Sequence, residues 1–362
     1  MRDGLLASRR FQRWAAGFVL TRPIARRRAR DLFDICAGFV YSQILLACVR
    51  LRLFEMLRDG PQTVETLATR LSLTTAATRR LLAAASSLSL VENRGGSRFG
   101  LGVLGAASLG NPGIAAMVEH HALLYGDLQD PVALLRGETR RTAVGGFWPY
   151  AGNGSPDEAS GADIAAYSAL MTVSQAMLAD DIVDAYPFAR HRCVLDVGGG
   201  EGNFLITVAA RAPKLRLLLF DLPAVAARAA DRFAEAGLAV RAETTGGDFR
   251  TDPLPKGADI ACLIRVLHDH DDRAALEILR SIHAALPPGG TLLVAEPMTD
   301  DKAADPVGAY FGIYLMAMGS GRPRQPDEIA GLLEAAGFRN VRHRATRQPL
   351  LTRLISARRS SP

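Results

Sequence analysis

Cysteine is scarce in this chain, and its spacing argues against several kinds of site. The 362 residues include four cysteines, at positions 36, 48, 193 and 262, with no CxxC pair among them. Disulfide frameworks and zinc sites need paired, closely spaced cysteines, whereas scattered thiols are typical of a reducing compartment. We therefore expect free thiols, no metal and a cytoplasmic protein.

Long apolar runs are lacking too. The stretch from Ile35 to Val49 has 15 uncharged residues between Asp34 and Arg50, whereas a membrane-spanning helix needs about 20. Residues 14–20 are apolar but too few for the core of an export signal. The sequence therefore predicts neither a membrane span nor an exported protein.

Net positive charge is concentrated at the start of the chain, and the remainder is close to neutral. The net charge is +6, and residues 1–30 alone hold nine arginines against one acid, Asp3. Phe11, Trp14 and Phe18 are interleaved with these arginines. A basic arm that carries aromatic residues suits contact with an anionic membrane surface. A solvated, disordered arm is the alternative.

Residues 31–105 have the pattern of a winged helix. The predicted elements are helices within Asp31–Leu57, over Val64–Leu71 and over Ala76–Leu88, and a β-hairpin over 91–99. Thr74 is the predicted N-cap of the last helix. Such a unit could bind DNA through Arg79 and Arg80 as part of a regulator. However, that helix is rich in Ala, Leu and Ser, which favours burial in a homodimer over recognition of bases.

Residues 106–180 are predicted to form a mostly helical connector that contributes to a substrate pocket, with a loop from Gly145 to Gly161. After Pro187, short apolar strands alternate with helices, which implies a parallel, doubly wound sheet in a Rossmann-like domain over 181–362. The predicted strands are Cys193–Val197, Arg216–Phe220, Val240–Thr244, Ile260–Val266 and Thr291–Ala295, followed by a helix over Pro326–Ala336 and strands near Val341–Ala345 and Thr352–Ser356.

The first of these strands leads into a glycine-rich loop over residues 198–202. Glycines let the backbone turn sharply and let a nucleotide-like ligand approach closely. The dinucleotide-binding pattern GxGxxG would need glycine at position 203, where this chain has Asn203. Asp196, just before the loop, suits a ligand with a cationic amino-acid end. The pattern therefore favours S-adenosylmethionine over a dinucleotide.

Acidic residues also follow the next two strands. Asp221, in Phe-Asp-Leu-Pro, can accept hydrogen bonds from ribose hydroxyls. Asp248 and Phe249, after the third strand, can hold the amino group and the ring face of adenine. Each carboxylate alone could be an ordinary loop residue, but their order at successive strand ends favours a nucleoside site.

The fourth strand leads into Arg265-Val266-Leu267-His268-Asp269-His270. His268 then lies at the sheet edge where ligands of α/β folds bind, and its pKa suits removal of a proton from an acceptor hydroxyl. Glu296, after the fifth strand, can orient the imidazole through its other nitrogen. A structural histidine and a metal bound by this cluster are the alternatives. Against a metal, His268 and His270 would point to opposite sides if the strand continued through them.

Together these motifs resemble those of a known family. DxGGGxG, FDLP, GDF, RVLHDHDD and AEPM, here at residues 196–202, 220–223, 247–249, 265–272 and 295–298, are similar to those of plant caffeate-type and acetylserotonin-type O-methyltransferases and their bacterial relatives. The resemblance implies a class I S-adenosylmethionine-dependent methyltransferase fold with an N-terminal winged-helix dimerisation domain. It also implies that His268 is the catalytic base and Glu296 its partner. The cofactor-binding residues expected from these motifs are Asp196, Gly198, Gly200, Asp221, Leu222, Asp248, Phe249 and Arg265. Where the family has tryptophan this chain has His270, whose role stays open.

The N-terminal half resembles a narrower group. The segments RFQRW, LTRP and LFDICAGFVYSQILLACV look like those of the carotenoid methyltransferases of purple photosynthetic bacteria. That likeness implies methylation of the tertiary C1 hydroxyl of hydroxyneurosporene or demethylspheroidene. A phenolic polyketide or a bacteriochlorophyll precursor is the alternative acceptor. Candidate pocket residues for a long polyene, which could equally be core, are Trp148, Tyr310, Tyr314 and Met318, with Phe147, Tyr150, Phe311 and Met316 nearby in the sequence.

Overall fold

The computed structural model of the chain describes residues 2–148, 178–299, 305–349 and 351–360. Tyr150 and most of the predicted loop from Gly145 to Gly161 lie outside the described residues. The chain divides into two compact units, Met1–Asn111 and Pro112–Pro362. The finer division into four parts stays a prediction.

The first unit is mostly helical. Its helices are α1 (Arg2–Ala7), α2 (Arg9–Gly17), α3 (Arg22–Arg50), α4 (Leu53–Met56), α5 (Val64–Leu71), α6 (Thr75–Ser87) and α7 (Val103–Leu109), and its strands are β1 (Gln62–Thr63), β2 (Val91–Asn93) and β3 (Arg98–Leu101). The strands form an antiparallel sheet in the order β1-β3-β2. As predicted, the Thr74 side chain caps α6 by accepting a hydrogen bond from the main-chain nitrogen of Ala77. The winged-helix order of helix, turn, helix and hairpin is thus present.

The basic arm is helical rather than extended coil, since α1, α2 and the first turns of α3 cover it. Among the described residues α3 is the helix whose length and composition would let it cross a membrane, and most of it is exposed within this chain. The uncharged stretch from Ile35 to Val49 alone is too short to predict such a helix. The whole helix of 29 residues is longer and includes several arginines at its start.

The second unit begins with α8 (Pro112–Asp127), α9 (Pro131–Leu135), α10 (Ala143–Phe147) and α11, whose described part is residues 178–185. The elements that follow are β4 (Cys193–Val197), α12 (Asn203–Arg211), β5 (Arg216–Asp221), α13 (Pro223–Glu235), β6 (Ala242–Gly246), β7 (Ile260–Ile264), α14 (Asp272–Ala285), β8 (Thr291–Glu296), α15 (Pro306–Met318), α16 (Pro326–Ala335), β9 (Phe338–Arg344) and β10 (Arg353–Arg359).

These strands form a seven-stranded sheet in the order β6-β5-β4-β7-β8-β10-β9. The first five are parallel, as predicted, whereas β10 is antiparallel to both β8 and β9. The last pair is antiparallel because no crossover helix separates β9 from β10.

Side chains of one strand alternate between the two faces of the sheet. On β4, Val194 packs into a core with α12 and α13, while Leu195 and Val197 pack into a core with α14 and α16. Helices therefore cover both faces, which defines a doubly wound fold. The strand order reverses between β4 and β7, so the crevice for a ligand opens at their carboxyl ends.

Several predicted strand boundaries differ from those of the structure, among them one end of β7 and both ends of β6. β7 ends at Ile264 rather than at Val266, because Arg265 has a left-handed backbone with φ of 57°. β6 begins at Ala242 rather than at Val240, whose side chain is fully exposed.

Candidate active site

The glycine loop and the carboxyl end of β4 form one side of the crevice. Gly198, Gly200 and Gly202 have positive φ angles of 71°, 59° and 81°, which side chains disfavour. A Cβ on Gly199 would lie 2.6 Å from Oδ2 of Asp196, so the loop passes directly over this carboxylate. The three glycines at residues 198–200 therefore present main chain rather than side chains next to the strand end.

Asp196 is a buried carboxylate without a partner. It is 1% exposed, and neither of its oxygens has a hydrogen-bond partner among the described residues. Burial, and then the charge of Asp221, raises the pKa of Asp196 to about 8. An unpartnered buried carboxylate is costly unless a ligand supplies a donor. The α-ammonium group of S-adenosylmethionine would meet this need, so the residues present fit that group.

Asp221 lies at the end of β5, beside the glycine loop. Its Oδ2 accepts a hydrogen bond from the main-chain nitrogen of Gly200 at 2.8 Å, and its Oδ1 accepts one from Leu222 at 2.8 Å. A carboxylate oxygen can accept more than one hydrogen bond, so this side chain suits a ribose hydroxyl. These bonds also fix the position of the loop over the carboxyl end of the sheet.

Asp248 and Phe249 follow β6. The guanidinium of Arg250 forms an ion pair with Asp248, with Nη2 2.7 Å from Oδ2. Partial burial alone would raise the pKa of Asp248, but the bonds from Arg250 outweigh this and lower it. The sequence analysis missed this pair. The ring of Phe249 meets that of His270 edge to face, with centroids 5.6 Å apart.

The turn after β7 forms the other side of the crevice. Leu267–Asp269 is a short 3₁₀ helix, so the strand does not continue through His268 and His270 as the argument against a metal assumed. Among the described residues no three His, Cys, Asp or Glu side chains cluster as metal ligands. Burial and the charge of Arg250 lower the pKa of His270 to about 4, so this imidazole is neutral.

His268 is buried between two carboxylates. Its Nδ1 lies 2.5 Å from Oε2 of Glu296, and its Nε2 lies 3.1 Å from Oδ1 of Asp269. Burial by itself would lower the pKa of His268, but Asp269 and Glu296 outweigh it and raise the pKa. Burial raises the pKa of Asp269. The predicted pair of His268 and Glu296 is therefore in contact, and Asp269, which was not among the predicted site residues, lies within ion-pair distance of Nε2 without a hydrogen bond to it.

Glu296 is itself held by the main chain. Its Oε1 accepts hydrogen bonds from the main-chain nitrogens of Val266 at 3.0 Å and Leu267 at 2.8 Å. Its other oxygen is left to orient His268. Arg265, just before this turn, donates its main-chain nitrogen to Ala295 at 2.8 Å.

Aromatic residues from α10 and α15 lie together in a separate buried cluster. Trp148 Nε1 donates to the hydroxyl of Tyr314 at 2.8 Å, and Met318 is buried in the same cluster. The ring of Phe311 meets that of His268 with centroids 6.3 Å apart, and the ring of Tyr310 lies next to it. α15 thus extends from the buried cluster to the imidazole.

Two histidines of α8, which the sequence analysis missed, contact these tyrosines. His120 Nε2 lies 2.5 Å from the hydroxyl of Tyr314, and His121 Nε2 lies 2.6 Å from that of Tyr310. Burial, together with the charge of His121, lowers the pKa of His120 to about 4. No sequence signal joins residues so far apart, so only the fold could reveal these pairs.

The fold and this crevice define an enzyme class: a methyltransferase that uses S-adenosylmethionine. Profiles of two families match the chain, an O-methyltransferase domain over residues 125–339 and an O-methyltransferase dimerisation domain over residues 33–107. The chain belongs to the O-methyltransferase family. The predicted fold class and methyl donor are therefore confirmed, and the dimerisation domain supports the predicted homodimer.

Individual relatives cover nearly the whole chain. It is 43% identical to demethylspheroidene O-methyltransferase of Cereibacter sphaeroides, across 99% of this chain and 94% of that protein. It is 34% identical to aclacinomycin 10-hydroxylase of Streptomyces purpurascens, across 83% of this chain and 82% of that protein. The structure of human N-acetylserotonin methyltransferase in complex with S-adenosylmethionine matches with 26% identity and a TM-score of 0.74, across 92% of this chain and 98% of that one.

Proposed function

We propose that this enzyme methylates the tertiary C1 hydroxyl of an acyclic carotenoid of the hydroxyneurosporene or demethylspheroidene type, in spheroidene-type carotenoid biosynthesis. The assignment of the acceptor rests on the 43% identity, over 99% of this chain, to a demethylspheroidene O-methyltransferase. A relative named as a hydroxylase shares the family, so family membership alone does not define the reaction. The contact between His268 and Glu296 supports methyl transfer.

His268 acts as the general base in this proposal. Glu296 accepts a hydrogen bond from Nδ1–H, which leaves the lone pair of Nε2 for the acceptor hydroxyl, on the side of the ring where Asp269 Oδ1 lies 3.1 Å away. A tertiary alcohol is a weak acid, so its proton passes to Nε2 as the new C–O bond forms. Bound S-adenosylmethionine would supply the methyl group, with its sulfur as the leaving group, and the chain's alignment of the acceptor oxygen would supply much of the rate.

The crevice between β4 and β7 holds the methyl donor. Asp196 binds its ammonium group, Asp221 its ribose, and Phe249 its adenine ring, with Gly198, Gly200, Leu222, Asp248 and Arg265 completing the predicted contacts. When bound there, S-adenosylmethionine supplies a methyl group on a positively charged sulfur.

An apolar surface beside the base suits a polyene. Phe311 contacts the His268 ring, and α15 continues through Tyr314 to Met318 in the cluster that contains Trp148. We propose that this helix lines the acceptor channel, with Trp148, Tyr310, Tyr314 and Met318 as its wall.

The test is incubation of the full chain with methyl-labelled S-adenosylmethionine and a panel of acceptors, followed by mass analysis of the products. The panel contains a 1-hydroxy acyclic carotenoid, its unhydroxylated parent, a phenolic polyketide and a bacteriochlorophyll precursor. We expect label only in the first, as a methyl ether at C1, and labelling at least about 100-fold slower with His268→Ala. Label in the phenol and not in the carotenoid would overturn the proposed acceptor, while a hydroxylated product would overturn methyl transfer.

We also propose that the enzyme is cytoplasmic and that its N-terminal arm contacts the surface of the photosynthetic membrane, where such a substrate dissolves. On α2 and its C-cap residue, the ring of Trp14 is tilted against that of Phe11 and stacked on that of Phe18, with centroids 5.8 and 5.1 Å apart. Trp14 is 53% exposed, and the arginines of the arm suit anionic headgroups. An amphipathic helix of this kind lies in the plane of the interface.

Co-sedimentation with vesicles tests this contact. We expect binding to vesicles with anionic lipid, weaker binding to neutral ones, and loss of binding in a variant with Phe11, Trp14 and Phe18 all changed to serine. Arg136→Ser and Arg140→Ser, outside the arm, serve as charge controls. If the arm variant binds vesicles normally but no longer forms dimers, a second copy of the chain covers this surface and the membrane proposal is wrong.

A further inference from the structure

One short segment, residues 320–324, holds the turn that carries His268. It donates hydrogen bonds to the carbonyl oxygens of four successive residues of that turn. The pairs are Arg324 Nη1 with Leu267 at 2.5 Å, Arg322 N with His268 at 3.0 Å, Ser320 Oγ with Asp269 at 2.9 Å, and Arg324 Nη2 with His270 at 2.7 Å. We call this segment the clamp.

Arg324 is the main side chain of the clamp. It is 2% exposed, and Asp272 orients its guanidinium through a hydrogen bond from Nε to Oδ1 at 2.9 Å. The planar, forked guanidinium can reach the carbonyls of Leu267 and His270 at once, on either side of His268. A lysine ammonium has no such geometry.

The backbone of the clamp lies unusually close to the turn. Gly321 has φ of 79°, and a Cβ added there would lie 2.0 Å from the carbonyl oxygen of His268. The main-chain nitrogen of Thr299 donates to the carbonyl of Arg324 at 3.0 Å. The clamp is therefore also bonded to the chain that follows Glu296, and it joins the two halves of the proposed base.

We propose that Arg324 is a positioning residue for methyl transfer. By fixing the carbonyls before and after His268, it holds the imidazole against Glu296 and sets the direction of Nε2 toward the acceptor. The inference rests on the proposed role of His268 as the base. Arg324 does not touch the acceptor or the donor in this proposal.

The test compares Arg324→Met with Arg324→Lys in the full chain. We expect kcat to fall by about 10- to 100-fold in both, because small misplacements of a reacting group cost rates of this size. The dissociation constant of S-adenosylmethionine and the KM of the acceptor should stay within about threefold of the wild-type values. The acid limb of the pH profile should also move, because the contact of His268 with Glu296 sets the pKa of the base.

Arg241→Met is the matched control. The guanidinium of Arg241 also bonds to main-chain carbonyls, those of Ala209, Ala212 and Leu215, but at the far end of α12. Its loss should lower the melting temperature without changing kcat or the pH profile of the folded enzyme. Asp272→Asn, which frees the Arg324 guanidinium near the surface, should lower kcat in the same direction by a smaller factor, and it serves if the Arg324 variants do not fold.

Normal kcat and an unmoved acid limb in folded Arg324→Met would overturn this inference, and so would a parallel loss of cofactor binding. The double variant His268→Ala/Arg324→Met separates the two proposals. If Arg324 acts through His268, the second change adds no further loss to the first. If His268→Ala alone retains full activity, the proposed base fails, whatever the result at Arg324.

Discussion

The donor side and the acceptor side of the crevice differ in the kinds of groups that line them and in how far apart those groups lie in the sequence. On the donor side, Asp196, the glycine loop and Asp221 lie within 26 consecutive residues and bind largely through main chain and carboxylates. On the acceptor side, hydrogen bonds join side chains 189 and 194 residues apart, from α8 to α15. The members of a family share one cofactor, so a fixed local motif can bind it. Their acceptors differ, so the acceptor site is lined by side chains that can be replaced without changing the fold. The two sides should therefore respond differently to substitution.

The largest expected effect is at the junction of the two sides. His268→Ala should lower kcat by about 10²- to 10⁴-fold, because a general base typically contributes a rate factor of this size. The dissociation constant of S-adenosylmethionine, measured by calorimetry, should change little. Unchanged kcat would show that His268 is not the base, and a large loss of cofactor affinity would place it on the donor side.

Next in size is Asp196→Asn, which should weaken binding of S-adenosylmethionine by about 30-fold or more, because it removes one partner of a buried charge pair. The KM of the acceptor should stay nearly constant. Calorimetric titration of the apo-enzyme measures the first quantity and steady-state kinetics the second.

The same variant has a second, independent readout in the apo-enzyme. The pKa of Asp196 is about 8 in the folded enzyme, whereas its ordinary value is 3.8. Protonation of this carboxyl therefore stabilises the folded enzyme fully below about pH 4, and this stabilisation is lost as the pH rises through 8. The melting temperature of the wild type should therefore fall more steeply over this range than that of Asp196→Asn. Parallel curves would contradict the raised pKa.

A smaller effect is expected from Glu296→Gln. Asp269 and Glu296 raise the pKa of His268, so activity should rise with pH through a value above 6.5 in the wild type. Without the Glu296 charge the acid limb should move to lower pH, and kcat should fall by about 10-fold or more as the imidazole loses its orientation. The pH dependence of kcat/KM measures the shift. An acid limb that moves upward, or not at all, would contradict the contact between these two side chains.

The difference between the two sides also explains what the sequence could predict. The strand Cys193–Val197, the positions of Asp196 and Asp221, and the pairing of His268 with Glu296 follow from local patterns and from the rule that ligands bind at carboxyl ends of parallel strands. The end of β7 was wrong because Arg265 adopts a left-handed backbone that its residue type disfavours.

The histidines of α8 and the clamp could not be predicted from local patterns. His120 pairs with Tyr314, and Arg324 with Leu267 and His270, only once distant helices and loops pack together. Two adjacent histidines in an apolar helix and an arginine after a proline give no local sign of these contacts. Long-range side-chain pairs of this kind are set by tertiary packing, which a single sequence does not display.

The smallest expected effect tests the acceptor wall itself. Tyr310→Phe removes the hydroxyl that contacts His121, beside the Phe311 ring on His268. We expect the KM of the acceptor to change by about three- to tenfold, the size of one hydrogen bond, with cofactor affinity unchanged. Tyr125→Phe, on α8 outside these pairs, is the control and should leave both constants unaltered. Tyr310→Phe could instead weaken the binding of S-adenosylmethionine and leave the KM of the acceptor unchanged. In that case α15 contributes to the donor site, and the division of the crevice into two independent sides is wrong.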